Sequence, residues 1–131
     1  MALEISMPSL PIAPLFKGKW AFYVCFTKEM WDQHLFESGW PPAGILGMCA
    51  TFAEGDGGDS GVLISIDPTR HSSFSDLVDT IAHESVHATN RLFDELNEHS
   101  PSEEMFATIT GRVTSFVLDE YFKAREELCP K

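Results

Sequence analysis

Hydrophobic and polar positions change period along the chain, and the changes divide it into strands, loops and two long helices. Lys19 to Thr27 reads Lys-Trp-Ala-Phe-Tyr-Val-Cys-Phe-Thr, an aromatic and β-branched run that predicts a buried strand. Ile45 to Phe52 and Gly61 to Asp67 are two further short apolar runs, and the segment Glu54 to Ser60 between them is acidic and glycine-rich. This order predicts a hairpin joined by a solvated turn, because a calcium-binding loop would need a closing glutamate at its twelfth position. Lys28 to Ser38 places Met30, Trp31, His34 and Leu35 at helical spacing, with His34 a packed side chain of that face. The prolines and glycines of 39–44 then force a loop. Met7 to Phe16, where prolines alternate with apolar residues, predicts an extended arm strapped across the domain.

From Phe74 the period lengthens to that of a helix. On a wheel of 100° per residue, Leu77, Val78, Ile81, Ser85, Ala88, Leu92 and Leu96 gather around one direction, the expected core stripe. Ser73 and Asp76 form a Ser-x-x-Asp start signal, and the pattern runs to about Asn97. A second helix is predicted with Ser100 as N-cap, Pro101 at its first position and Glu103 at its third. Its Phe106, Ile109, Val113, Phe116 and Val117 form the core face. Ala107, Thr108, Gly111 and Ser115 form a small-residue face on which the two helices are expected to meet.

The chemistry sits on the first of these helices, in Thr80-Ile81-Ala82-His83-Glu84-Ser85-Val86-His87. Two imidazoles four residues apart stack on one face, where both can reach one metal ion. His83 and His87 point away from the apolar stripe, so they are not core histidines, and Asp79, Asn90 and Asp94 share their face as groups able to orient the rings. Glu84 falls beside such an ion, where a carboxylate can take a proton from water activated by zinc. The motif is the His-Glu-x-x-His of zinc peptidases. A catalytic zinc takes a third protein ligand. Asn90 and Phe93 exclude the extended three-histidine form of the motif, His99 lies too near the helix end, and Asp94 lies on the same rod. Glu103 and Glu104 remain, and Glu104 is preferred because Glu103 is occupied in capping.

Composition narrows the partners. With 131 residues and 44% apolar content the chain fits one domain, residues 1–131, whose first 18 residues are the proline-rich arm. A net charge of −11 without a basic cluster opposes nucleic acid and anionic membranes as partners. Cys25, Cys49 and Cys129 cannot all pair and lack the close spacing of a zinc knuckle, which favours a reducing, cytoplasmic setting. Residues 1–16 have Glu4 and prolines where a signal peptide has a basic start and an apolar run.

On His83-Glu84-Ser85-Val86-His87 and Glu104-Met105-Phe106-Ala107, the stretch from Gly61 to about Val117 resembles the zincins. It is most similar to their glutamate-ligand branch, the gluzincins, in the minimal single-domain forms of phage and bacterial proteins. The resemblance implies an α+β fold: a small, twisted, mostly antiparallel sheet packed on the motif helix and a following ligand-bearing helix, with a strand available to an extended peptide. It also implies a zinc-dependent metallopeptidase acting on peptide or protein substrates, with zinc on His83, His87 and Glu104 and Glu84 as general base. Thr108 stands where larger relatives carry an orienting aspartate, and the group that stabilises the oxyanion is open among Tyr121, Arg112 and His71. The alternative from a different class is a zincin-fold zinc-binding protein that serves as an interaction module.

Overall fold

The computed structural model describes residues 8–11, 20–29, 45–53 and 60–128. The expectations for His34, for the loop at 39–44 and for the acidic turn at 54–59 lie outside these residues. The architecture is α+β, with a four-stranded mixed sheet carrying two long helices. The strands are β1 (Ser9–Pro11), β2 (Trp20–Cys25), β3 (Gly47–Ala53) and β4 (Ser60–Ile66), in the spatial order β1-β2-β4-β3. β2 and β4 pair in parallel at the centre, and β1 and β3 flank them antiparallel. Of the proline-rich arm, Ser9–Pro11 is a strand, at a sheet edge among the described residues, where the missing N–H of Pro11 costs least. The expected hairpin is present, with Gly47 opposite Ile66 and Ala53 opposite Ser60.

The two central strands are buried on both faces, as a parallel pair requires, and so read as largely apolar runs, with buried Ser65 of β4 satisfied by donating to the Met48 carbonyl oxygen at 3.3 Å. Phe22, Val24, Val62, Ile64 and Ile66 point to the helices; Cys25 and Leu63 point to the other side and pack with Tyr23, Ala50 and Phe52. At the start of β4 the backbone of Gly61 passes so close to β2 that a Cβ would lie 1.8 Å from the Ala21 carbonyl oxygen, and its φ of +148° also demands glycine.

Helix α1 (Phe74–Glu95) lies over β4 and β3. Its N-cap is Ser73, whose Oγ accepts from the Asp76 N–H at 3.1 Å, while the Asp76 carboxylate turns to Ser72. Its C-terminus closes as a Schellman motif: Glu98 N–H donates to Phe93 O at 2.9 Å and Asn97 N–H to Asp94 O at 3.1 Å, with Asn97 left-handed at φ 56°. Leu77, Ile81, Ala88 and Leu92 bury the predicted stripe against the sheet. Ile81 and Leu92, fully buried, each contribute about 1.5–3 kcal/mol.

Helix α2 (Glu103–Leu128) starts two residues later than expected, with Ser102 as its cap: the Met105 N–H donates to Ser102 Oγ at 3.1 Å. Glu103 and Glu104 are thus its first two residues, held in the first turn by the helix dipole. Its Val113 and Val117 are fully buried, as predicted. The small-residue face, however, is not the helix contact. α2 meets α1 through Thr110, whose hydroxyl donates to Thr89 Oγ1 at 3.0 Å, and through Phe106, stacked on Phe93 at 6.1 Å. Gly111 faces open space, and with Thr108, Ser115 and Arg112 it lines a surface groove beside Leu10 of β1. The hydroxyls of Ser85, Thr89 and Thr114 bond back to carbonyls one turn earlier, so the polar seam between the helices is satisfied. No helix among the described residues is long and apolar enough to cross a membrane.

Candidate metal centre

Burial of Ile81, Ser85 and Ala88 on the sheet turns His83 and His87 outward, where both are exposed. Their Nε2 atoms converge to 3.2 Å, with ring centroids 4.8 Å apart. Two zinc–nitrogen bonds of about 2.05 Å at a tetrahedral angle span about 3.3 Å between nitrogens, so the pair has the bite of a single ion. Glu84 completes the group, with one carboxylate oxygen and the two ring nitrogens all within 4.8 Å of one another. These three residues could hold a metal ion.

Glu84 differs from the histidines in its surroundings. One residue turns the helix by 100°, which rolls Glu84 toward β3, and it is 6% exposed. Its Oε2 is buried and has no hydrogen-bond partner among the described residues. Natural proteins seldom leave such an oxygen unpaired unless a ligand, water or reaction uses it. The Cys49 thiol of β3 donates to the Glu84 carbonyl oxygen at 3.2 Å. Burial first, and then the neighbouring Glu84 carboxylate, raise the Cys49 pKa far above its ordinary range, so this thiol stays protonated and inert.

Beside the group a cleft of about 340 Å³ is lined by Ile45, Leu46, Gly47, Asp79, Thr80, His83 and Glu84. Gly47 makes it possible. A Cβ there would come within 3.0 Å of Thr80 Cγ2 and 3.2 Å of Glu84 Cγ, so any side chain would press on both. Arg70 ties the segment entering β3 to the turn after β4 by donating from Nη1 to the Ile45 carbonyl oxygen at 2.8 Å, while its Nε pairs with Asp67 at 3.2 Å.

The structure thus brings His83, Glu84 and His87 together and leaves Glu104 outside their group. The contacts Thr89–Thr110 and Phe93–Phe106 fix an antiparallel register that sets Glu104 level with Glu95. That is eight residues, or about 12 Å, along α1 from His87. Thr89 and Phe93 also lie about 160° and 120° around the helix from His87, so α2 packs on a flank away from the imidazoles. Glu103 is exposed at the same end, and Asn90 and Asp94 are exposed on α1, whereas Asp79 reaches the cleft. Of the three oxyanion candidates, Tyr121 sits in an aromatic cluster with Phe26, Phe74 and Phe122, and Arg112 lines the groove beside β1. His71 is bonded at both nitrogens, to Asp67 O at 3.0 Å and Thr80 Oγ1 at 2.9 Å.

Sequence reasoning passed over Gly47, Thr80, Cys49 and Arg70. A glycine inside an apolar strand run signals close backbone approach, and Gly47 could have been read that way. The other three carry no local signal. Comparison of the chain with protein-family models, with curated proteins and with solved structures finds no match.

Proposed function

We propose that this chain is a zinc-dependent peptidase with a zincin-like arrangement of sheet and motif helix. The observation that carries the reading is the 3.2 Å convergence of the His83 and His87 nitrogens beside the Glu84 carboxylate, whose Oε2 is buried with no hydrogen-bond partner among the described residues. His83 and His87 would hold the ion. Bound zinc would supply Lewis acidity toward a scissile carbonyl and toward water. Glu84 takes the proton from the attacking water at its unpaired oxygen and returns it to the nitrogen of the leaving amine. Its burial keeps competing solvent from that oxygen, its stem runs over Gly47, and the Cys49 thiol bonds its main-chain carbonyl oxygen.

Among the described residues β3 is an edge strand whose first residue borders the cleft, so an extended peptide added along that edge would pass the Glu84 carboxylate. Glu104 has no part in this arrangement, since using it as a ligand would require α2 to move around α1. That same fact favours the second reading, a zinc-binding interaction module without hydrolysis. Metal analysis and a peptide-hydrolysis assay on wild type and Glu84→Gln separate the two. The peptidase reading expects about one zinc per chain in both proteins and hydrolysis only in wild type. Zinc without hydrolysis in wild type supports the module; absence of zinc, with His83→Ala indistinguishable from wild type, ends both.

A further inference from the structure

The turn that follows β4 touches both walls of the cleft without lining it. Asp67 caps this turn: its Oδ1 accepts from the Thr69 N–H at 3.0 Å and from the Thr69 hydroxyl at 2.6 Å, and its Oδ2 pairs with Arg70. One wall, the segment entering β3, is held by the bond from Arg70 to Ile45 O. The other wall is α1, and His71 holds it. A carbonyl oxygen only accepts, so the neutral ring carries its proton on Nδ1 and donates to Asp67 O, which leaves Nε2 to accept from the Thr80 hydroxyl. With its Oγ1 drawn to His71, Thr80 turns its methyl toward Gly47, where the Glu84 Cγ also presses. Thr80 and Glu84 are four residues apart and neighbours on the helix surface.

We propose that His71 is a positioning residue for Glu84, acting through Thr80. Because Thr80 has one orientation, the space over Gly47 has one shape, and the Glu84 stem is left one course toward the histidine nitrogens. Without the His71 bond, Thr80 is free to rotate, its hydroxyl and methyl exchange places over Gly47, and Glu84 gains alternative rotamers. The proposal rests on the reading of Glu84 as the general base, but the device itself is a matter of side-chain packing and can be measured without catalysis.

The test uses His71→Ala, Thr80→Ala, which removes the methyl over Gly47 together with the hydroxyl, and the double variant, with Thr69→Val as a control that loosens the same turn at a bond His71 does not use. Side-chain scalar couplings of Glu84 in the metal-free protein report its rotamer. A single rotamer is expected in wild type and Thr69→Val, and averaging in the other three. In peptide hydrolysis, kcat should fall roughly tenfold in each single variant and no further in the double, with KM and zinc affinity held within about threefold. Glu84 locked in one rotamer in both His71→Ala and Thr80→Ala overturns the proposal, as does an additive loss of kcat in the double variant. If wild type hydrolyses nothing, the peptidase reading fails, and the couplings alone still decide whether His71 sets the Glu84 rotamer.

Discussion

Replacing Glu84 by methionine should make the metal-free protein more stable while abolishing hydrolysis. Glu84 is 6% exposed, and its Oε2 is buried without a hydrogen-bond partner among the described residues. An unsatisfied buried polar atom costs about 1–3 kcal/mol, and an apolar side chain of the same length removes that cost. Methionine is unbranched and adapts to the space beyond Cγ, so overpacking against Gly47 is avoided. At about 2.1 cal/mol/K per residue, unfolding 131 residues carries about 0.28 kcal/mol/K, so Tm should rise by roughly 4–11 °C. Calorimetry at neutral pH with chelator present measures this. Glu84→Gln is the control: it keeps the shape but puts an amide in the unpaired position, and should bring no comparable gain. A drop in Tm for Glu84→Met would show that the carboxylate is an anchor of the fold, and the case for a reactive, unsatisfied oxygen would collapse. A stabilised but inactive variant is the signature of a residue kept for chemistry at a cost in stability.

Four further outcomes are expected. His83→Ala or His87→Ala should each lower zinc affinity at least a hundredfold in chelator competition, whereas Glu104→Ala should leave it unchanged, because the two imidazoles converge and Glu104 lies outside their group. Gly61→Ala should destabilise the fold by more than about 3 kcal/mol in urea unfolding, since its Cβ would meet a backbone carbonyl at 1.8 Å in a left-handed conformation. Asn97→Ala should cost about 1 kcal/mol and Asn97→Gly should not, because position 97 closes α1 at φ 56°. The Cys49 thiol has its pKa raised in the folded protein by burial and by Glu84, with Arg91 acting weakly in the other sense. The native state therefore binds this proton more tightly than the unfolded chain. Its contribution is complete below about pH 8.5 and is lost above it at up to about 1.4 kcal/mol per pH unit, a slope that Cys49→Ala should reduce in unfolding curves between pH 7 and 10.

What the sequence determined by itself was whatever depends on spacing within one element. The four-residue interval puts His83 and His87 on one face of any helix, and the stripe from Leu77 to Leu92 dictates that this face turns outward. The apolar runs likewise made β2, β3 and β4 legible, because the central pair β2 and β4 is buried on both faces and takes few polar residues, Ser65 being buried with its hydroxyl bonded to the Met48 carbonyl oxygen. Tertiary structure decided everything that depends on how one element meets another. Ser100 and Ser102 are both sound caps by local chemistry, and the packing of Phe106 on Phe93 accompanies the choice of the second. The same packing decided Glu104: its small neighbours at 107, 108 and 111 marked a face suited to close approach, but nothing local says which face of α2 a partner helix will take. The core claimed Val113 and Val117, Thr110 met Thr89, and the small face was left at the surface with its glutamate about two turns from the imidazoles. Gly47, Thr80 and His71 lie far apart in local pattern and meet only because β3 returns beside β4 and α1 folds back over both. Register within an element follows from a fixed rise and turn per residue, whereas register between elements follows from the best total burial, which no single segment encodes.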